Sequence, residues 1–392
     1  MPTQAIDAKS PAKESIFTTG LALFSMFFGA GNLVFPLVIG KNAGNEHASA
    51  VLGLSISAVL FPFLGLIAMM MYGGSLKLFL QRLGKWPAFI GMFILFMSQG
   101  PLGAMPRLIT LMHASVKSYF PTIGLCEFSL YMAVLLFWMT IRPGRVIRLI
   151  GVILTPFLLC TLALLVGAGL LSTNTPLFVT DGAMHHFCAG FKGGYQTLDL
   201  TAALLFVGMI MPYLSKGTNS SKQIQARTMK ASLLAALLLM LSYIGLAWLA
   251  AHHAKSLHGG IEDADLLYAL ASRVLGPAGS IIATGAVFFA CLTTAISLAS
   301  VFSNYLREEW FRNKVSLPIP LALTLGMSAC MATLGFSGIA KILSPILEIL
   351  YPSIIVLCLL NMAHKLYGVK LLKGPVFGIF AIGVLQYFMQ RL

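Results

Sequence analysis

TGLALFSMFFGAGNLVFP, Thr19–Pro36, lies within an apolar run from about residue 16 to 39 and carries two features that a continuous helix resists. Gly29 and Gly31, one residue apart, each weaken helix propensity by about 1 kcal/mol relative to alanine. Pro36 then removes a ladder hydrogen bond. The expectation is a membrane helix that opens around Gly29–Asn32. Exposed backbone at that depth is tolerated where protein or a watery cavity satisfies it. There the first amides of a new helix can hold a carboxylate and freed carbonyls can hold a cation. A close helix–helix contact is the competing reading, and a four-residue spacing would suit it better.

The same apolar texture extends along the whole chain. Of 392 residues, 58% are hydrophobic and 10% charged, a balance that requires lipid as the solvent. Spanning hydrocarbon takes roughly 20 residues of helix, and such runs fall at about 16–39, 48–72, 87–113, 122–141, 147–171, 195–214, 228–251, 279–303, 317–336, 339–363 and 374–390. The reading is an all-α polytopic membrane protein of about 11 helices. It divides into a tail at 1–15, a ten-helix core at 16–363 and an additional helix within 364–392. The tail lacks the pattern of a cleaved leader. Placing the N-terminus in the cytoplasm puts 18 Lys and Arg inside against seven outside, a bias that supports both this orientation and the helix count. A net charge of +14 therefore reads as membrane-facing, with the bilayer and not nucleic acid as the partner. The six cysteines lack metal-ligand spacing and read as small buried hydrophobes.

Several other positions break the apolar pattern. The sixth span opens with Gly193 to Asp199, GGYQTLD; a carboxylate in an apolar helix lines a cavity, pairs with a cation, or reaches the nearby extracellular interface. Glycine-rich interruptions in spans one and six point to a five-plus-five inverted repeat with the site between two broken helices. In the eighth span Thr293 and Thr294 offer hydroxyls suited to a monovalent cation, or simply bond their own helix. Arg107 follows Gly100, Pro101 and Pro106 in the third span, as a counter-ion to Asp199, to a ligand carboxylate or to outer headgroups. Glu127 is read as interfacial, whereas Glu348, deeper in the tenth span, is a candidate for coupling. Glu262, Asp263 and Asp265 read as a solvated surface segment, and His185 with His186 as plain residues of an outer loop and not a metal site.

Taken in order, TGLALFSMFFGAGNLVFP, GPLGAMPR (100–107), GYQTLD (194–199), ACLTTAISL (290–298) and ILYP (349–352) resemble the branched-chain amino acid:cation symporters, the BrnQ-like or LIVCS family. The resemblance implies the LeuT-type fold of the amino acid–polyamine–cation superfamily. It also implies a sodium site from carbonyls near Ser25 and Phe28, the carbonyl of Ala290 and the hydroxyls of Thr293 and Thr294. By the same resemblance Ala30, Gly31 and Asn32 meet a substrate carboxylate, with Thr197, Leu198 and Asp199 on the ammonium side. Members of that family usually have twelve spans; here one helix follows the core. The expected activity is sodium-coupled, or proton-coupled, uptake of leucine, isoleucine and valine by alternating access, with sodium as the coupling ion and no cofactor. Transport of another small amino acid is the alternative on this fold. A membrane sensor or intramembrane enzyme is the alternative from another class, and the chain lacks the HExxH and GxSxG motifs and the paired carboxylates that an enzyme would use.

Overall fold

The computed structural model describes residues 16–141, 155–171, 176, 178–215, 220–257 and 261–389, and contains no strand among them. The first span is split into α1 (Ile16–Phe27) and α2 (Ala30–Ala43). The second comprises α3 (His47–Ser55) and α4 (Phe61–Met71), joined through a π-helical segment, Ile56–Leu60. A short α5 (Leu76–Gln81) leads to the third span, α6 (Lys85–Gln99) and α7 (Ala104–Lys117), broken at GPLG. Spans four and five are α8 (Leu125–Thr140) and α9 (Thr155–Leu171); the expected start of the fifth span at 147–154 lies outside the described residues. The sixth is split into α10 (Ala183–Tyr195) and α11 (Asp199–Leu214). Then follow α12 (Ser221–His252), α13 (Leu266–Tyr305), α14 (Pro318–Ala332), α15 (Gly335–Tyr367) and α16 (Lys373–Met389).

Hydrophobicity sorts these helices without a water-facing side. Six helical runs are long and apolar enough to cross a bilayer by themselves, and shorter apolar helices accompany them. Leu130, Val134, Leu164, Leu237 and Leu385 point outward, where water would penalise them and lipid does not. Trp86 and Trp310 project near helix ends, at the level where amphipathic rings sit between headgroups and hydrocarbon. The chain is a multi-pass membrane protein.

Inside the bundle, α1 and α2 pack along α12 and α13, α11 lies against α4, and α10 lies along α3. The last contact is a backbone-to-backbone seam. A Cβ on Gly190 would lie 1.9 Å from Ala50 O, and one on Gly53 would lie 2.1 Å from Phe187 O. Gly194, one turn beyond Gly190, meets Ser57 Oγ at 1.9 Å in the same test. Small residues four apart let two membrane helices approach until van der Waals and Cα–H contacts hold them, since lipid offers no hydrophobic drive for association.

The cysteines are corrected in part. Cys291 and Cys358 are buried, but Cys126, Cys160, Cys188 and Cys330 are on the outside of the bundle. An apolar run in a membrane does not separate core from lipid-facing positions, because both are apolar.

Replacing Gly190 with Val should force α3 and α10 apart and destabilise the protein by about 1–3 kcal/mol. Thermal unfolding in detergent measures this; an unchanged midpoint would mean that the seam yields freely.

Candidate functional site

Two helix interruptions meet at the centre of the bundle. At the first, α1 ends at Phe27, and the Gly29 amide donates to Phe27 O at 2.8 Å and to Asn32 Oδ1 at 3.1 Å. The amides of Ala30, Gly31 and Asn32 open α2, and the first amides of a helix have no acceptor within it. At the second, Gln196–Leu198 separate α10 from α11, and Leu198 holds a left-handed backbone (φ 66°) despite its side chain. That conformation costs about 1–2 kcal/mol. Gln99 offsets it by donating from Nε2 to Leu198 O at 2.6 Å and to Thr201 Oγ1 at 2.5 Å. The two breaks touch directly: a Cβ on Gly31 would lie 2.9 Å from Thr197 Cα and 3.0 Å from Gln196 O.

Asp199 is the first residue of α11, where the positive end of the helix dipole favours a carboxylate. It is 1% exposed. Asn32 Nδ2 donates to both carboxylate oxygens at 2.8 Å, and the Tyr243 hydroxyl donates to Oδ2 at 2.6 Å. Asn32 Nδ2 also contacts the Tyr243 hydroxyl oxygen. One asparagine thus caps the opening of α2 with its oxygen and holds the start of α11 with its nitrogen. Neutral donors surround this charge; the ion pair seen among the described residues is Lys77–Glu309 at 3.2 Å, with exposed partners.

A second cluster lies where α1 crosses α13. Thr293 Oγ1 donates to Ser25 O at 3.2 Å and to Ala290 O at 2.9 Å; Thr294 Oγ1 donates to the same two carbonyls at 3.0 and 3.1 Å. Ser25 Oγ donates to Thr293 Oγ1 at 2.8 Å. Each hydroxyl bonds its own helix, as the second reading expects, and also reaches α1. The result is five uncharged oxygens on two helices, the donor chemistry that suits a monovalent cation. A cation entering here must displace these hydroxyl protons from the carbonyls. Phe28 belongs to the same crossing: it precedes Gly29, where a Cβ would lie 3.2 Å from Thr294 Oγ1, and its ring stacks on Phe24 at 5.0 Å.

A small cavity of about 30 Å³, room for about one water by size, runs between these groups, lined among others by Gly31, Asn32, Gln99, Arg107, Asp199 and Thr294. A vestibule of about 600 Å³ lies further along α6, α11 and α13, bounded by Phe96, Leu205, Ser300, Asn304 and, at its rim, Lys77 and Glu309.

The model of a family described as "Branched-chain amino acid transport protein" matches residues 12–390. The chain belongs to that family. Curated relatives of this transporter include the branched-chain amino acid permease BraB of Bacillus subtilis, 30% identical over 377 residues (91% of this chain, 81% of BraB). The permease BrnQ of Haemophilus influenzae is 29% identical over 366 residues (90% and 83%). Permeases are not enzymes, and the enzyme alternative is set aside. Among solved structures, the transporter's fold is that of MhsT in complex with L-phenylalanine, at TM-score 0.62 and 17% identity, covering 97% of this chain and 99% of that one. A Na+-coupled sialic acid symporter follows at TM-score 0.58 and 13% identity (97% and 91%). This is the LeuT-type architecture of two inverted halves with broken first and sixth spans.

Several expectations about the transporter are corrected by the geometry. Its sixth span begins at Ala183 and not near 195, because a polar, histidine-bearing turn hides the helix start. Asp199 consequently sits mid-span and buried, not near an interface. His185 and His186 are on α10 and not on a loop, and with Asp181 they place three potential ligand atoms within 4.8 Å of one another. Glu348 is exposed on α15 and does not line the central cavity, whereas Glu127 lies in the first turn of α8 at a helix end. Tyr243 and Gln99 went unremarked in the sequence, although each is a polar residue deep within an apolar run, which is a legible signal.

Tyr243→Phe deletes one donor to a buried carboxylate and should cost about 1.5–3 kcal/mol. In an Asp199→Asn background the same change should cost much less. Thermal unfolding of the four proteins measures the coupling; additive effects would dissolve the network.

Proposed function

We propose that the chain is a sodium-coupled importer of leucine, isoleucine and valine that works by alternating access. The observation carrying this reading is the juxtaposition of the α2 amides and the buried Asp199 around one cavity, which the oxygen cluster of Ser25, Ala290, Thr293 and Thr294 meets through Thr294. In this mechanism the unpaired amides of Ala30, Gly31 and Asn32 meet the substrate carboxylate, while Thr197, Leu198 and Asp199 face its ammonium group. Sodium between α1 and α13 ties the two helices together across the first break, which fixes those amides before substrate arrives. The Na+-coupled symporter of the same fold and the names of the curated permeases support the cation and the substrate class.

The central cavity is too small for an amino acid, and the larger vestibule lies toward the end bearing Lys77 and Glu309. On the positive-inside assignment that end is cytoplasmic, so the vestibule is the route by which substrate leaves toward the cytoplasm. Met26, Phe27, Leu108, Ala202 and Phe206 supply the apolar part of the lining. An apolar pocket separates side chains by only about 1–3 kcal/mol per methylene, so the three branched substrates should compete with one another.

Uptake of labelled leucine by the purified protein in liposomes should collapse when choline replaces external sodium. Undiminished uptake would reject sodium coupling, and dependence on a pH gradient instead would assign protons. Thr294→Ala, which removes one oxygen from the cluster, should raise the sodium concentration for half-maximal uptake about tenfold, corresponding to about 1.4 kcal/mol. An unchanged requirement would remove Thr294 from the cation site. Competition by excess isoleucine and valine, set against alanine and phenylalanine, tests the substrate class.

A further inference from the structure

Arg107 is 1% exposed, yet the described residues give it no acidic partner. Its guanidinium lies between two phenyl rings, 5.2 Å from the Phe35 centroid and 5.0 Å from the Phe336 centroid, and Nη1 donates to Gln196 O at 3.2 Å. Nε and Nη2 are buried without a hydrogen-bond partner. A guanidinium brings a permanent charge and five donors arranged as a fork. Aromatic faces and one carbonyl answer part of that, but two donors on the side suited to a bidentate acceptor stay open. Removing such a group from water is costly unless an anion meets it.

The nearest buried carboxylate does not serve. Asp199 lines the same cavity but bonds Asn32 and Tyr243, with no ion pair to Arg107. Among the described residues these are the two buried side chains of the Asp, Glu, Lys and Arg class. The cavity therefore holds one acidic and one basic side chain, kept apart, a pattern complementary to a ligand that carries both an ammonium and a carboxylate.

We infer that Arg107 is the residue that selects for the free carboxylate of the substrate, receiving it on Nε and Nη2. This rests on the amino-acid reading of the site and adds to the α2 amides a charged anchor from α7. Phe35 and Phe336 fix the plane of the fork. The Gln196 O bond ties it to the second helix break, so that an arriving carboxylate engages both interruptions and α7 at once. Ligands that keep the ammonium and the side chain but lack the carboxylate, such as leucinol, are expected to bind poorly for that reason.

The test is equilibrium binding of leucine and leucinol to the purified full chain in detergent with sodium, in wild type, Arg107→Gln and Arg107→Lys. Wild type should prefer leucine by about 10- to 100-fold. In Arg107→Gln the leucine-to-leucinol ratio should fall toward one, with leucinol affinity nearly unchanged, and Arg107→Lys should keep a reduced preference. A ratio in Arg107→Gln equal to wild type overturns the inference, even if both affinities drop together, since that pattern marks a merely structural residue. If neither variant folds, a structure of wild type with leucine decides by whether the carboxylate lies within hydrogen-bonding distance of Nε or Nη2 or elsewhere. Failure of wild type to bind any amino acid would instead count against the proposed function.

Discussion

Backbone that leaves a helix inside a membrane must find partners within the protein, and here polar side chains supply them and join the two breaks. Asn32 closes the opening of α2 with its carbonyl and grips the start of α11 with its amide through Asp199, while Tyr243 adds a third helix to the knot. Gln99 performs the same service for the Leu198 carbonyl from α6. The arrangement leaves the first-turn amides of α2 uncommitted, which is the resource a ligand can use. An uninterrupted first span would remove that resource and the reason for Asp199 to be buried.

Electrostatics then follow from placement and not from ion pairing. A carboxylate at a helix N-terminus with neutral donors and a guanidinium between aromatic rings can coexist in a small volume without neutralising each other. The oxygen cluster at the α1–α13 crossing adds uncharged hydroxyl and carbonyl oxygens without adding negative charge.

Much of this was readable in the amino-acid order. Gly29 and Gly31 announce a break because helix propensity is a local property, whereas α2 continues through Pro36, and Thr293 with Thr294 stand out against an apolar run. The placement of Asp199 was misjudged because the start of its helix is written in residues such as His185, His186 and Lys192 that look like loop. The inward or outward sense of Glu348 and of four cysteines was illegible for another reason. A helix surrounded by lipid on one side and protein on the other shows hydrophobic residues on both, so the periodicity that separates core from surface in water is lost.

The glycine seam between α3 and α10 has a mechanical corollary. With main chains touching at Gly53 and Gly190, the second span and α10 of the sixth cannot slide past each other by rotamer changes, because no side chains stand between them to rearrange. They form one lever. The sixth span leaves helical geometry in the three residues that follow, Gln196 to Leu198, of which Leu198 has a left-handed backbone. The other half of the sixth span, α11, lies against α4 of that same second span and carries Asp199 at its start.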